Sequence, residues 1–188
     1  MIKCSSAVVL FLFLLLCFSA AYSQEVTQED GTPSPTEMEA MKQHQEGTKL
    51  MLEKKYQKAI LFLNKAVELN PEFKEAYYNL GLSYERLGKY KDAIKNLKEA
   101  IKLSPDDANA YYALGYVYYQ KKKNKQAVEA FENAARLKPK NPFTHSKLGY
   151  AYLAWGKEER AREQYQVLKS LNSELADELY DAINQHKK

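Results

Sequence analysis

One spacing governs this chain. Glycine recurs at Gly47, Gly81, Gly115 and Gly149, alanine at Ala59, Ala93, Ala127 and Ala161, and proline at Pro71, Pro105 and Pro139, every step being 34 residues. A period in the range of roughly 20–50 residues marks a supersecondary unit that cannot bury its apolar face alone and must stack on copies of itself. The unit is clearest from Lys74 to Pro105, KEAYYNLGLSYERLGKYKDAIKNLKEAIKLSP. Any architecture for the chain has to repeat with it.

Within that unit Ala76, Tyr77, Leu80, Gly81 and Tyr84 fall at helical spacings and share one helix face. Gly88 follows, where a glycine can take the left-handed conformation that closes a helix. Tyr90, Ala93, Ile94, Leu97, Ala100, Ile101 and Leu103 then form a second apolar stripe, which Pro105 ends. Each unit therefore predicts two antiparallel helices. Gly81 lies inside the first of them, at a cost of about 1 kcal/mol relative to alanine. Close packing must offset that cost, and the small residue Ala93 is the expected neighbour.

These residues give the chain a resemblance to the tetratricopeptide repeat (TPR) family, whose unit carries an aromatic-x-x-Leu-Gly-x-x-Tyr, Ala, apolar, Ala and Pro pattern. Here the pattern is Tyr77, Leu80, Gly81, Tyr84, Ala93, Leu97, Ala100 and Pro105. The next copy has Tyr111, Leu114, Gly115, Tyr118, Ala127, Phe131, Ala134 and Pro139. A further copy keeps Leu148, Gly149, Tyr152, Ala161 and Tyr165, with His145 at the aromatic position and Leu168 and Ser173 in place of the late Ala and Pro. The resemblance implies an all-α TPR solenoid of four helix-turn-helix repeats, about 40–73, 74–107, 108–141 and 142–173, within residues 37–173. Ser173 can cap a further helix, 174–185, whose Leu175, Leu179 and Ile183 make one apolar stripe. It is expected to cover the last repeat, leaving 186–188 as a polar tail.

Two places depart from the pattern. The first repeat has Gln43 and Glu46 where its neighbours have an aromatic and a Leu, which predicts a polar outer edge. Its helix is expected to start at a Thr36-x-x-Glu39 capping box. The third repeat has Lys122, within the run Lys121 to Lys125, where the second and fourth have Gly88 and Gly156, and Asn124 is expected to supply some of the turn chemistry. One short basic cluster does not establish an acidic or anionic partner.

The N-terminus differs in kind. Lys3 precedes an apolar run from Ala7 to Phe18, shorter than the roughly 20 residues that span a bilayer, and Ala21-Tyr22-Ser23 offers small residues at cleavage-site spacing. Residues 1–23 read as a secretory signal peptide, with retention as a membrane anchor the alternative. The polar, acidic stretch 24–36, with Pro33 and Pro35, reads as a flexible linker. The expected location is therefore outside the cytoplasm. A bacterial periplasm is favoured because no Asn begins a glycosylation sequon. Cys4 and Cys17 both fall in the leader, so no disulfide or thiolate site is expected beyond it.

Catalytic chemistry has little to stand on. His44, His145 and His186 have no metal-ligand spacing, the glycines form no phosphate loop, and no nucleophile stands beside a base. The reading is not an enzyme, with no cofactor and no metal. Acidic residues alternate with lysines, so no nucleic-acid stripe is expected. What remains is a surface. The resemblance implies that the first helix of each unit lines a concave groove, and this places Tyr78, Asn79, Tyr112, Tyr116, Tyr119, Lys147 and Tyr150 there to grip a protein or peptide partner. Asn79 would offer a donor and an acceptor to a peptide backbone. The carboxylate clamp of chaperone-binding TPR domains is not implied, since its positions hold His44, Thr48, Asn79, Asn109 and Ala113, of which only Asn79 matches. The alternative is a structural subunit of an envelope assembly that packs, or self-associates, through its edges or convex face.

Overall fold

The computed structural model describes residues 32–185. The leader, the cysteines, most of the linker and His186 lie outside them. Nine α-helices occupy the described residues, which contain no strand. In chain order they are α1 (Pro35–Leu52), α2 (Tyr56–Leu69), α3 (Lys74–Arg86), α4 (Tyr90–Leu103), α5 (Ala108–Gln120), α6 (Asn124–Leu137), α7 (Pro142–Ala154), α8 (Glu158–Ser170) and α9 (Leu175–Gln185). Helices α3–α8 form three successive pairs, Gly47 of α1 packs against Leu63 of α2 as a fourth, and α9 packs on both α7 and α8. The arrangement is the four-repeat helical solenoid with a C-terminal capping helix.

The repeating small residues explain the pairing. Ala59, Ala93, Ala127 and Ala161 are wholly buried. A Cβ added at Gly47 would stand 2.7 Å from Leu63 Cγ, at Gly81 2.5 Å from Leu97 Cγ, and at Gly115 2.8 Å from Phe131 Cδ1. Ala93 is therefore not what fills the space over Gly81. That role belongs to Leu97, one turn further along, because helical side chains lean toward the N-terminus and cover the preceding turn. The fourth repeat closes differently. Gly149 is covered not by Tyr165 of its own second helix but by Leu179 of α9, with Leu179 Cδ2 2.5 Å from the added Cβ position. Leu179 and Ile183 are fully buried, so the apolar stripe of α9 completes the core. Ser173 Oγ accepts a hydrogen bond from Leu175 N at 3.3 Å, as a cap would.

The turns within the repeats share one hydrogen-bond pattern, the six-to-one closure of a helix C-terminus. It appears as Lys55 N to Leu50 O, Lys89 N to Tyr84 O, Lys123 N to Tyr118 O and Lys157 N to Tyr152 O, at 2.8–2.9 Å. The closure needs one residue with positive φ. Gly88 and Gly156 supply it at +70° and +74°, but Lys54 and Lys122 adopt it themselves at +59° and +56°. Asn124 thus does not replace the turn glycine. It opens α6, and its side-chain amide donates to Ala154 O of the next repeat at 2.5 Å.

Two other expectations need correction. Helix α1 begins at Pro35, which suits a first helical position, so Thr36 lies in the first turn instead of capping it. Glu39 is engaged along the helix, accepting from Gln43 Nε2 at 2.6 Å. The first repeat is also less polar than expected. Gln43 and Glu46 are half-buried, while Met38, Met41, Leu61 and Leu52 are exposed, Leu52 at 82%.

Candidate functional site

The first helices of the pairs contact one another, α3 with α5 and α5 with α7, and so present a continuous face. Residues with the register of Tyr78, four positions C-terminal to the Lys74 helix start, fall on that face in each repeat. Two adjoining depressions lie there. One, of about 260 Å³, is lined by Tyr78, Leu82, Glu85, Arg86, Tyr112, Ala113 and Tyr116. The other, of about 270 Å³, shares Tyr78 and Tyr112 and adds Asn109, Lys138, Asn141, Phe143 and Thr144. A third, of about 430 Å³, lies between α5, α7 and α9 and is lined by Tyr119, Tyr150, Leu153, Ala154, Ala182 and Gln185.

The structure therefore brings Tyr78, Tyr112 and Tyr116 together, and separately brings Tyr119 and Tyr150 together. Each of these five rings is half-buried. Tyr112 stands edge-on to core Phe131, with ring centroids 5.5 Å apart, so one side of it is fixed by the core and the other faces the depressions. Tyr116 Oη accepts from Gln120 Nε2 at 2.9 Å. Lys147 lies beside Tyr150, its ammonium 5.9 Å from the ring centroid. Asn79 points elsewhere. Its Nδ2 donates to His44 Nε2 at 3.0 Å and to Thr48 Oγ1 at 3.1 Å, tying α3 to α1. Those donors are committed within the array.

Burial sets the protonation of the lining. It pushes the hydroxyls of Tyr78, Tyr112 and Tyr150 above the ordinary phenol range, because a phenolate in a partly dry site loses hydration. Nearby charge acts in the same direction, from Asp107 on Tyr78 and from Glu178 on Tyr150. The three hydroxyls thus stay as donors at neutral pH. Tyr118 and Tyr152, at positions expected to pack, are buried; Tyr152 donates to the Glu132 carboxylate.

Sequence reasoning placed the lining on the first helices and so missed contributions from two other sources. Lys138 and Asn141 come from the loop before α7, where Lys138 Nζ donates to Asn109 Oδ1 at 3.2 Å and Asn141 caps α7 by accepting from Phe143 N at 3.0 Å. Ala182 and Gln185 come from α9. The proline-flanked run Lys138-Pro139-Lys140-Asn141-Pro142 was the available signal for the loop.

His145 is a buried packing residue. Its Nε2 donates to Pro139 O at 2.9 Å, and its Nδ1 meets the Gln164 amide at 2.9 Å. Among the described residues no group of His, Cys, Asp and Glu is placed to hold a metal ion, and no helix is long and apolar enough to cross a membrane.

A helical pair repeated every 34 residues, with a bare glycine under Leu or Phe and a small residue on the facing helix, defines the class. The chain belongs to the tetratricopeptide repeat family. The family model described as "Tetratricopeptide repeat" matches residues 78–142, and that described as "TPR repeat" matches residues 47–88. A crystal structure of MamA protein is similar at 30% identity and a TM-score of 0.67, covering 69% of this chain and 72% of that one. MamA from Desulfovibrio magneticus RS-1, residue 41 to its end, is similar at 27% identity and a TM-score of 0.67, covering 71% and 75%. YrrB, described as a TPR protein with an unusual peptide-binding site, shares the fold at 20% identity and a TM-score of 0.66, covering 78% and 86%. No curated protein matches significantly. TPR arrays are protein-interaction modules, and the class of this chain follows from that.

Proposed function

We propose that this chain is an exported, non-catalytic scaffold that holds an extended segment of a protein partner across Tyr78, Tyr112 and Tyr116. The supporting observation is the pair of adjoining depressions that share Tyr78 and Tyr112. Tyrosines fixed on one side by a core give broad contact area with little side-chain entropy to lose, and each hydroxyl can bond a peptide carbonyl. Tyr119, Tyr150 and Lys147 would extend the contact toward the capping helix. The existence of a peptide-binding site on YrrB shows that this fold accommodates one.

The test is selection of peptides from a random library on the full chain, followed by calorimetric titration of the selected sequences. Tyr112→Ala with Tyr116→Ala should remove about 2 kcal/mol or more, an affinity loss of about thirtyfold. Melting temperatures are compared first, because Tyr112 touches Phe131; if the pair softens the core, Tyr116→Ala alone serves. Unchanged affinity in a stable variant would remove the groove and leave packing through the edges.

A further inference from the structure

The turns that join the two helices of each repeat lie along one edge of the array. From the second turn to the fourth the adjacency is direct. Lys121 of the third turn stands 6.0 Å from the ring of Tyr90 beside the second, and Asn124 bonds Ala154 O beside the fourth. In the four equivalent seven-residue windows 52–58, 86–92, 120–126 and 154–160 there are twelve Lys or Arg against four Asp or Glu, in a chain of net charge +4. The loops on the opposite edge, 69–75, 103–109 and 137–143, carry three basic and four acidic residues. The short cluster Lys121–Lys125 is therefore one part of a row.

Local stability does not account for the row. The residue capping the N-terminus of the second helix in every repeat is a lysine, Lys55, Lys89, Lys123 and Lys157, and none makes a side-chain capping bond. A cap position favours Ser, Thr, Asp or Asn, and a cation there opposes the helix dipole. Lys54 and Lys122 additionally hold positive φ where glycine would fit better. Rules of local structure broken repeatedly in one place indicate a surface shaped by something other than folding. Lys54, Lys89, Lys122 and Lys123 are exposed, with no carboxylate within ion-pair distance among the described residues.

Apolar groups stand at both ends of the row. Leu52, 82% exposed, precedes the first turn, and Trp155, 39% exposed, precedes the fourth, with Lys157 Nζ 5.3 Å from its ring. We infer that this edge docks on an anionic phospholipid surface. Ten of the twelve basic residues are lysines, flexible point charges suited to a diffuse plane of phosphates more than to a fixed acceptor geometry. Exposed Trp and Leu beside lysine suit the headgroup boundary, where an indole lies half in the apolar layer. A nucleic acid or an acidic protein would use the charge but leave Leu52 and Trp155 in water.

Trp155 is the single tryptophan of the chain, so its emission reports on this edge and not on the leader. The full chain is titrated with neutral phosphatidylcholine vesicles and with vesicles containing phosphatidylglycerol, at low and high salt. Expected are a blue shift of Trp155 and quenching by brominated lipid on anionic vesicles alone, both reversed by salt. Replacing Lys89, Lys122 and Lys123 with Gln should weaken the charge-dependent binding about hundredfold, at about fivefold per lysine, with the melting temperature retained. Equal response to both vesicle types, or an unaltered response in the variant, overturns the inference. So does displacement by polyglutamate or duplex DNA at equal charge with Trp155 emission unmoved, which would show an edge that reads charge without lipid.

Discussion

Gly81→Ala sets two effects of known sign against each other. In an exposed helix the change stabilises by about 1 kcal/mol. At this position the new Cβ would stand 2.5 Å from Leu97 Cγ, 2.8 Å from Leu97 Cδ2 and 3.4 Å from Leu97 N. Carbon atoms rest at about 3.5–4.0 Å, so the first contact is short by about an ångström. Leu97 is wholly buried, and Cγ is its branch point, so the side chain cannot swing clear. Helix α4 has to move. Overpacking of that kind costs about 1–3 kcal/mol, and a clash at a branch atom belongs near the upper end. The net expectation is a loss of about 2 kcal/mol. Urea unfolding measures it, with circular dichroism and Trp155 emission compared first, because repeat arrays can unfold in parts. Leu97→Ala alone should cost about 2–5 kcal/mol. The double variant should cost less than the sum by about 2 kcal/mol, since the new methyl then enters vacated space. If Gly81→Ala stabilises the chain, or if the two changes simply add, the packing of Leu97 into the glycine slot is refuted.

Two further perturbations test other parts of the array. Ser83 is wholly buried in α3, its hydroxyl has no hydrogen-bond partner among the described residues, and Val117 and Ala151 occupy the same register in later repeats. Ser83→Ala should stabilise by about 1 kcal/mol in urea unfolding, since an unsatisfied buried hydroxyl costs about 1–3 kcal/mol; destabilisation would reveal a partner for it. His44 has its pKa lowered from the usual 6.5 by burial, with Glu75 acting weakly the other way, and its Nε2 accepts from Asn79. The unfolded chain then binds that proton more tightly, so this contribution to stability is whole above about pH 6.5 and falls as the pH drops through the folded pKa. Melting from pH 7.5 to 5 should show a shallower decline in His44→Gln than in the wild type, and equal slopes would sink the assignment.

The register of the helices was legible because each position is written four times. Tyr77, Leu80, Gly81 and Ala93 are informative less as residues than as members of columns, and a column averages out local accidents. Atomic contacts were less legible. The pattern identified Ala93 as facing Gly81, but only the lean of a helical side chain toward its N-terminus puts Leu97 over that spot. The same limit appears at Asn79, whose register places it beside the groove while its partners, His44 and Thr48, belong to the aberrant first repeat. Features outside the columns were not recoverable from periodicity. Lys138 and Asn141 enter the lining because a loop folds against it, and Leu179 of α9 enters the Gly149 slot, where earlier repeats use a side chain of their own second helix.

The turn edge shows why a repeat can carry more than one surface. Helical periodicity assigns Tyr77, Leu80, Gly81 and Tyr84 to packing and Tyr78, Leu82 and Glu85 to the groove, so those positions answer to the core and to a partner respectively. The turn answers to neither. Its backbone closes by main-chain bonds alone, whether glycine or lysine supplies the positive φ. Side chains there are released from the fold except for a modest local cost, and a charge placed at one turn is added to its neighbours by the stacking itself. Four weakly disfavoured lysines at helix caps thus become one continuous basic edge, a property no single repeat possesses. A groove that recognises a segment and an edge that responds to a charged plane can therefore vary independently, while the glycine and alanine columns stay fixed beneath both.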